Sequence, residues 1–499
     1  MVRRLLASAL VGTALLAASL GLPTGTAASS GPTVSGALKT LETSGALAPP
    51  LHAQYLAEYV AGKDLLPKLS GTRHIELGAV IANLQAMAAA GDFIPSRLPA
   101  LFLTLQRNTQ WWNTGPLLDA DARVSFPGSG LVWEYYPGQG IEIQWLATFG
   151  EANGYYLSGQ NSKLGALLNE IIPLATDRAG GIAWEYLFQF DGGSPPWTSG
   201  LSQGTALQAL ARGWSRLHVT AYKAAAAAAL GIFETPPPIG VRVATAAGAH
   251  YLEYTYAPGE RILNGFIQAL NGLYDYTQLT GDPLGAQLFA AGDAEARIEV
   301  PKYNTGAWSL YDQFTESDLN YHELLITFLQ DLCARTSKSL NPLGASSGTT
   351  GPTGPTGPSS SGGTTGPTAT TAAASTANPD AIYCTTAASF QADLKTKPVL
   401  TFTPAPPSTT TGHAATIGFT LSKISTVTLT VSGGGASSYI TTLLLSHGSH
   451  TLTWPGSAQA GTYTVTLSAL DLAGNRGSVS APLTVTAPPK PKPTPKGHH

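Results

Sequence analysis

The chain has 499 residues, 43% of them hydrophobic and only 11% charged, with a net charge of −3. At roughly 150 residues per domain, the length predicts about three units. A charge this near balance, with no concentrated basic face, argues against nucleic acid as a partner.

Arg3 and Arg4, the apolar run from Leu5 to Leu22 and the small residues Thr26-Ala27-Ala28 have the order of a signal peptide over residues 1–28. That predicts export to the cell surface or beyond. No other run of ~20 apolar residues is present to cross a membrane. Residues 40–337 read as mainly helical, with a short β part near 120–150. There, ARVSFPGSGLVWEYYPGQGIEIQW alternates in the manner of strands. Downstream, TALQALARGWSRLHV, AYKAAAAAALGIF, ILNGFIQALNGLYDYTQLT, PLGAQLFAAGDAEARI and YHELLITFLQDLCAR place apolar residues at i, i+3, i+4 and i+7. Successive helix pairs of this kind predict an α/α toroid, an incomplete barrel with a groove at one end.

Residues 338–380, containing GTTGPTGPTGPSSSGGTTGPT, lack the side chains for a core and read as a flexible linker. Beyond it, ATIGFTL, STVTLTV, ITTLLLS, HTLTWPG, GTYTVTLSAL and VSAPLTV alternate as strands. They predict an immunoglobulin-like β-sandwich over 395–487. The Pro/Lys tail 488–499 is expected to be extended, either simply solvated or touching an anionic cell wall. Cys333 and Cys384 are the two cysteines. A bridge in an oxidising compartment and a pair of free thiols both stay open.

Two generic motifs carry little. Gly200-Leu201-Ser202-Gln203-Gly204 fits G-x-S-x-G, but the preceding GGSPPWTS forms no strand to present a nucleophile. His322-Glu323 begins like H-E-x-x-H, yet Ile326 stands where the second zinc ligand belongs. No metal or cofactor is expected. The tyrosines at 251, 254, 256, 274, 276, 303, 311 and 321 are the denser feature. Taken alone, tyrosines at helical spacing more often belong to a core, with the hydroxyl reaching outward.

Their order adds more. PPWTSGLSQGTALQAL (195–210), YLEYTYAPGERILNGFIQALNGLYD (251–275), KYNTGAWSLYD (302–312), LNYHELLITFLQDL (319–332) and the upstream YPGQGIEIQWLATFGEAN (136–153) resemble the D-glucuronyl C5-epimerase family, in family order. The resemblance covers ~130–337 well, ~50–130 loosely, and neither the linker nor the β-module. It implies that Glu253 and Tyr321 face opposite sides of a uronate C5, with Tyr254 and Tyr311 beside them. It further implies Asn264, His322, Trp197, Gln203 and Tyr136 as substrate-binding residues. The chemistry would be glucuronate-to-iduronate inversion in an acidic polysaccharide without a cofactor, in a monomer or a homodimer. Phe314 stands where animal relatives carry an arginine suited to sulfated chains, so the polymer stays open. Two other readings remain. A polysaccharide lyase would share the C5 deprotonation, and a non-catalytic polysaccharide-binding protein would exchange no proton.

Overall fold

The computed structural model describes residues 31–337, 381–404, 408–433 and 436–488. The expected signal peptide, linker and Pro/Lys tail lie outside the described residues. What is described is a mixed molecule, helical first and sheet-rich at the C-terminal end.

Four helices open it: α1 (Val34–Thr43), α2 (Pro49–Leu65), α3 (Gly71–Ala90) and α4 (Leu98–Thr114). A three-stranded antiparallel sheet follows, made of β1 (Arg123–Val124), β2 (Trp133–Tyr136) and β3 (Gly140–Ile143). The early helices grip this sheet through polar side chains. Asn108 of α4 donates to Ile141 O at 2.7 Å and accepts the Ile141 N–H at 2.8 Å. Glu76 of α3 accepts the Tyr135 hydroxyl and the Gly138 and Gly140 amides. These bonds satisfy backbone groups that the short sheet leaves unpaired.

Next come α5 (Trp145–Leu157), α6 (Asn161–Ile171), the hairpin β4 (Thr176–Arg178) and β5 (Gly181–Ala183), α7 (Gly200–Leu217), α8 (Thr220–Ala228) and α9 (Gly231–Glu234). A second hairpin, β6 (Arg242–Ala244) and β7 (Ala249–Tyr251), precedes α10 (Leu263–Thr280), α11 (Pro283–Glu299) and α12 (Leu319–Thr336). The caps explain the boundaries. Ser199 and Asp318 accept first-turn amides of α7 and α12. Gly281 closes α10 at φ 69°, a left-handed conformation that costs glycine least. Asp282 then caps α11, with Pro283 in its first turn.

In sequence order α5, α7, α10 and α12 pack side by side, and each is backed by the helix that follows it. The α7–α10 contact is the tightest. A Cβ on Gly272 would strike the Gly204 backbone, and one on Gly204 would lie 2.6 Å from Ala269 Cα. The two helices therefore approach along a seam of small residues.

One element was not foreseen. Residues 382–393 form α13 (Ile382–Asp393), packed along α12. Cys333 and Cys384 form a disulfide between these two helices, which decides the alternative left open by the sequence.

The sheet region contains β8 (Leu400–Phe402), β9 (Thr409–Thr410), β10 (Ala415–Leu421), β11 (Ser425–Gly433), β12 (Ala436–Leu445), β13 (Gly448–Trp454), β14 (Gly461–Asp471) and β15 (Arg476–Thr486). They make two sheets, β13-β10-β8 and β12-β11-β14-β15-β9. Both contribute alternate side chains to one core, including Ile417, Phe419, Val427, Leu429, Val465 and Leu467. Strands β8 and β9 escape sequence reading because two or three residues are too few to show a period.

A candidate proton-transfer cleft

The first turns of α5, α7, α10 and α12 all reach one cleft. Gln144 and Leu146, Ser199 and Leu201, Asn264, and Tyr321 and Leu324 line it from those four ends. The rest of its wall comes from β2 (Glu134 and Tyr136), from the loop after β5 (Tyr186, Phe188, Phe190 and Trp197) and from the loop after β7 (Glu253 and Tyr254). Including its open mouth, the cleft encloses about 730 Å³.

Glu253 follows β7 in a loop pinned to the start of α7. Leu252 O accepts the Gly200 amide at 2.9 Å, and the Thr255 amide donates to Thr198 O at 3.2 Å. The Glu253 carboxyl lies over Gly265 in the first turn of α10, where any Cβ would collide with Oε2. That oxygen is buried and has no hydrogen-bond partner. Burial pushes the Glu253 carboxyl up to about 8; a hydrogen bond from Tyr254 works against the shift and nearby Glu260 adds to it. A carboxyl poised near neutrality can both take and give a proton.

Tyr321 sits in the first turn of α12, its amide held by Asp318 Oδ1 at 2.8 Å. Its ring centroid lies 4.7 Å from that of Tyr311. Burial, followed by the charge of Glu253, raises the Tyr321 hydroxyl above its ordinary range, while a hydrogen bond with Tyr311 opposes the shift. Burial and Glu253 also raise Tyr254 and Tyr311. These phenols stay protonated at neutral pH and act as donors. Trp197 stacks on Tyr186 at 4.2 Å, and Tyr136 on Phe188 at 4.6 Å, building a flat aromatic flank.

Seven of the nine residues implied by the resemblance thus come together: Glu253, Tyr254, Tyr321, Asn264, Trp197 and Tyr136 in the lining, with Tyr311 directly beside them. Asn264 is 3% exposed, and both its amide oxygen and nitrogen lack partners. A buried amide left unsatisfied is costly unless a ligand completes it.

His322 and Gln203 do not reach the cleft. His322 is fully buried. Its ring stacks on Trp308 at 3.7 Å, Nδ1 meets the Ser309 hydroxyl at 2.8 Å, and Nε2 faces Phe390 O at 3.0 Å. Neighbouring residues on a helix point about 100° apart, so Tyr321 faces the cleft while His322 faces α13. Gln203 is equally buried and donates to Trp184 O at 2.9 Å, which ties α7 to the strand end before it. Ser202 lies inside the first turn of α7 with no strand before it, so the nucleophile-elbow geometry is absent.

Sequence reading missed Glu134. It is fully buried and lines the cleft, and neither carboxyl oxygen makes a hydrogen bond. Arg123 approaches only to 3.5 Å, as an ion pair. Burial is the main cause of its raised carboxyl. The available signal was the alternation of WEYY, which puts Glu134 and Tyr136 on the same face of β2. A separate depression near Gly128 and Lys163 holds no free acid, because Glu170 there already binds the Ser129 hydroxyl and the Gly130 amide.

The arrangement brings a buried carboxyl and three phenols around one small cleft, groups able to take and give protons. Two of the comparisons point the same way. Residues 178–341 match the profile described as D-glucuronyl C5-epimerase C-terminus. A stretch of 131 residues is 32% identical to the D-glucuronyl C5-epimerase of Caenorhabditis elegans, covering 24% of this chain and 21% of that protein. The chain therefore matches about a fifth of that relative's length. Among solved structures, the endo-β-1,4-glucanase CMCax of Acetobacter xylinum overlaps 43% of this chain and 72% of its own, at 12% identity and a TM-score of 0.30. That score is too low to carry any statement about this fold. Residues 178–341 are thus similar to the D-glucuronyl C5-epimerase C-terminus.

Proposed function

We propose that this protein inverts C5 of uronic acid residues in an acidic polysaccharide, glucuronate to iduronate, with Glu253 and Tyr321 as the proton-transferring pair. The C5 hydrogen is α to a carboxylate. Its removal breaks the C–H bond, and the electron pair spreads into the carboxyl group as an enolate. A proton delivered to the other face of C5 completes the inversion with no net oxidation or reduction. In one direction Glu253 takes the C5 proton and Tyr321 gives one, leaving protonated Glu253 and a Tyr321 phenolate; the reverse direction starts from that state, and proton exchange with solvent resets the pair. The Tyr254, Tyr311 and Asn264 side chains supply donors to the charge that builds on the substrate carboxylate.

The observation that carries the reading is the Glu253 carboxyl, buried, held over Gly265 and poised near neutral pH in the same cleft as Tyr321. A second feature supports an anionic substrate. None of the residues lining the cleft is Lys, Arg or His. Positive potential comes instead from the four helix N-termini that end there, whose dipoles favour an anion.

The same proposal assigns the side-by-side helices to an incomplete α/α toroid and the two facing sheets to an immunoglobulin-like sandwich. The domain plan is then a catalytic region over 40–337, a spacer over 338–380 and a β-module over 395–487, in an exported protein.

The test is C5 exchange in heavy water on a glucuronate polymer such as heparosan, read by NMR. Deuterium gain with iduronate and intact chains supports the proposal. Unsaturated ends with shortened chains indicate a lyase instead. Polymer binding with no exchange indicates a binding protein.

A further inference from the structure

The C-terminal sheets do not hang from the helical region as a separate body, because their contacts converge behind the tyrosine wall of the cleft. Tyr311 lies in the loop between residues 303 and 318, which joins α11 to α12. The loop has no regular secondary structure and is held by turn bonds, among them Tyr311 N–H to Thr315 O at 2.8 Å, Leu310 N–H to Tyr303 O at 2.8 Å and the Phe314 and Thr315 amides to Asp312 Oδ1 at 2.7 Å, while the Leu263 N–H of α10 donates to Tyr311 O at 3.1 Å. The position of the phenol then depends on what the outer face of this loop packs against.

The support comes from the β region at two points. Glu316, whose side chain is 1% exposed, accepts the Ile424 amide at 3.0 Å and the His447 amide at 2.6 Å, and His447 Nδ1 lies 3.2 Å away. Both amides belong to turns of the sheet region, one before β11 and one before β13. The second point is Lys423. It is fully buried, pairs with Asp471 at 2.7 Å, donates to Asp393 O at 2.7 Å, and sits 5.3 Å above the Trp308 ring. Trp308 donates from Nε1 to Ser317 O at 2.8 Å and stacks at 3.7 Å on His322, the residue adjoining Tyr321. A buried ammonium over an indole face is a strong contact. One continuous stack therefore runs from β14 through Lys423, Trp308 and His322 to the first turn of α12.

We propose that the β region is a brace for the reaction, and that Glu316 and Lys423 are positioning residues that hold Tyr311 and Tyr321 in register with the cleft. This rests on the epimerase reading for its catalytic consequence, while the mechanical part stands on the contacts alone. It also gives His322 a role, as the inner member of the stack rather than a substrate ligand.

The experiment uses the full chain with Glu316→Ala and Glu316→Gln, and Lys423→Met as a second site. Backbone amide exchange is followed by mass spectrometry, alongside the kcat and KM of C5 exchange and the melting temperature. In folded Glu316→Ala, amide exchange over 303–318 should accelerate about tenfold, with α7 unchanged. The kcat should fall about tenfold with KM nearly constant, since a misplacement of ~1 Å suffices for such a loss. Glu316→Gln keeps one acceptor oxygen and should recover part of both effects. Unchanged protection over 303–318, or lost protection with normal kcat, overturns the brace. If the wild type shows no C5 exchange but 303–318 loosens in Glu316→Ala, the mechanical brace stands and the epimerase reading is what fails. Lys423→Met should reproduce the Glu316→Ala pattern if it folds. A folded Lys423→Met with normal kcat overturns its share of the role.

Discussion

Glu253 is where chemistry and stability pull against each other. Burial keeps its carboxyl protonated up to about 8, while in the unfolded chain it ionises near ~4.3. Between those values the folded state binds more protons than the unfolded one. Stability therefore falls as pH rises through that window, and the residue destabilises the protein at neutral pH. Glu253→Gln should abolish C5 exchange yet melt at higher temperature than wild type at pH 8, with the gain vanishing at pH 4. The scale is ~1.4 kcal/mol per pH unit of difference, so a gain of up to a few kcal/mol is expected. Melting curves at the two pH values check it, and an offset independent of pH counts against a raised Glu253. Tyr321→Phe should also lose exchange but melt alike at both pH values, because its phenol stays protonated throughout. Gly265→Ala tests the geometry from the other side. Its methyl would displace Glu253 Oε2, so kcat should fall about tenfold or more while helix α10 stays folded. Normal turnover there would mean that the carboxyl does not need this seat.

At the scale of elements, the helices positioning the site were legible because they are long and periodic. The stretches read from the sequence match α10, α11 and α12 to within two residues, TALQALARGWSRLHV covers most of α7, and AYKAAAAAALGIF runs from α8 into α9. The β2–β3 pair was legible as alternation near 120–150. Helix α13 was not, because it follows a Gly/Pro/Ser/Thr-rich tract and its own pattern is weak. Its identity comes from packing on α12 and from the disulfide. Glu134 was missed for a related reason: an acid in a strand looks solvent-facing until the opposite wall is known. His322 and Gln203 came with the resemblance, but each lies on a helix face turned away from the cleft. The α7–α10 seam yields a prediction at this scale. Gly204→Leu forces a side chain into Ala269 and should destabilise by ~1–3 kcal/mol through overpacking. It should also shift the first turns that carry Ser199 and Asn264, raising KM. A stable variant with unchanged KM would show that the seam does not set the cleft width.

For the whole molecule, the question is what keeps the C-terminal part seated on the helical part. Polar contacts at Glu316, Lys423 and Asn475 cross the junction, the last donating to Leu394 O at 3.0 Å. Helix α13 lies between, tied to α12 by the disulfide and to α11 by the Tyr383 hydroxyl on Asp293 Oδ1 at 2.7 Å. The bridge closes a loop of 51 residues in sequence separation, so its main effect is to limit the freedom of the unfolded chain, worth ~2–4 kcal/mol for a loop of this size. It also ties α13 to α12, the helix that carries His322. Replacing both cysteines by serine should lower stability by about that amount and should loosen α13 and 303–318 in amide exchange before it affects α7. Activity of the remaining folded protein should be reduced through kcat, following the same route as Glu316→Ala. If the double variant instead unfolds in one step, with α7 and α13 losing protection together, the junction and the catalytic helices form a single cooperative unit. The bridge then acts on the unfolded state alone, with no separate hold on the tyrosine wall.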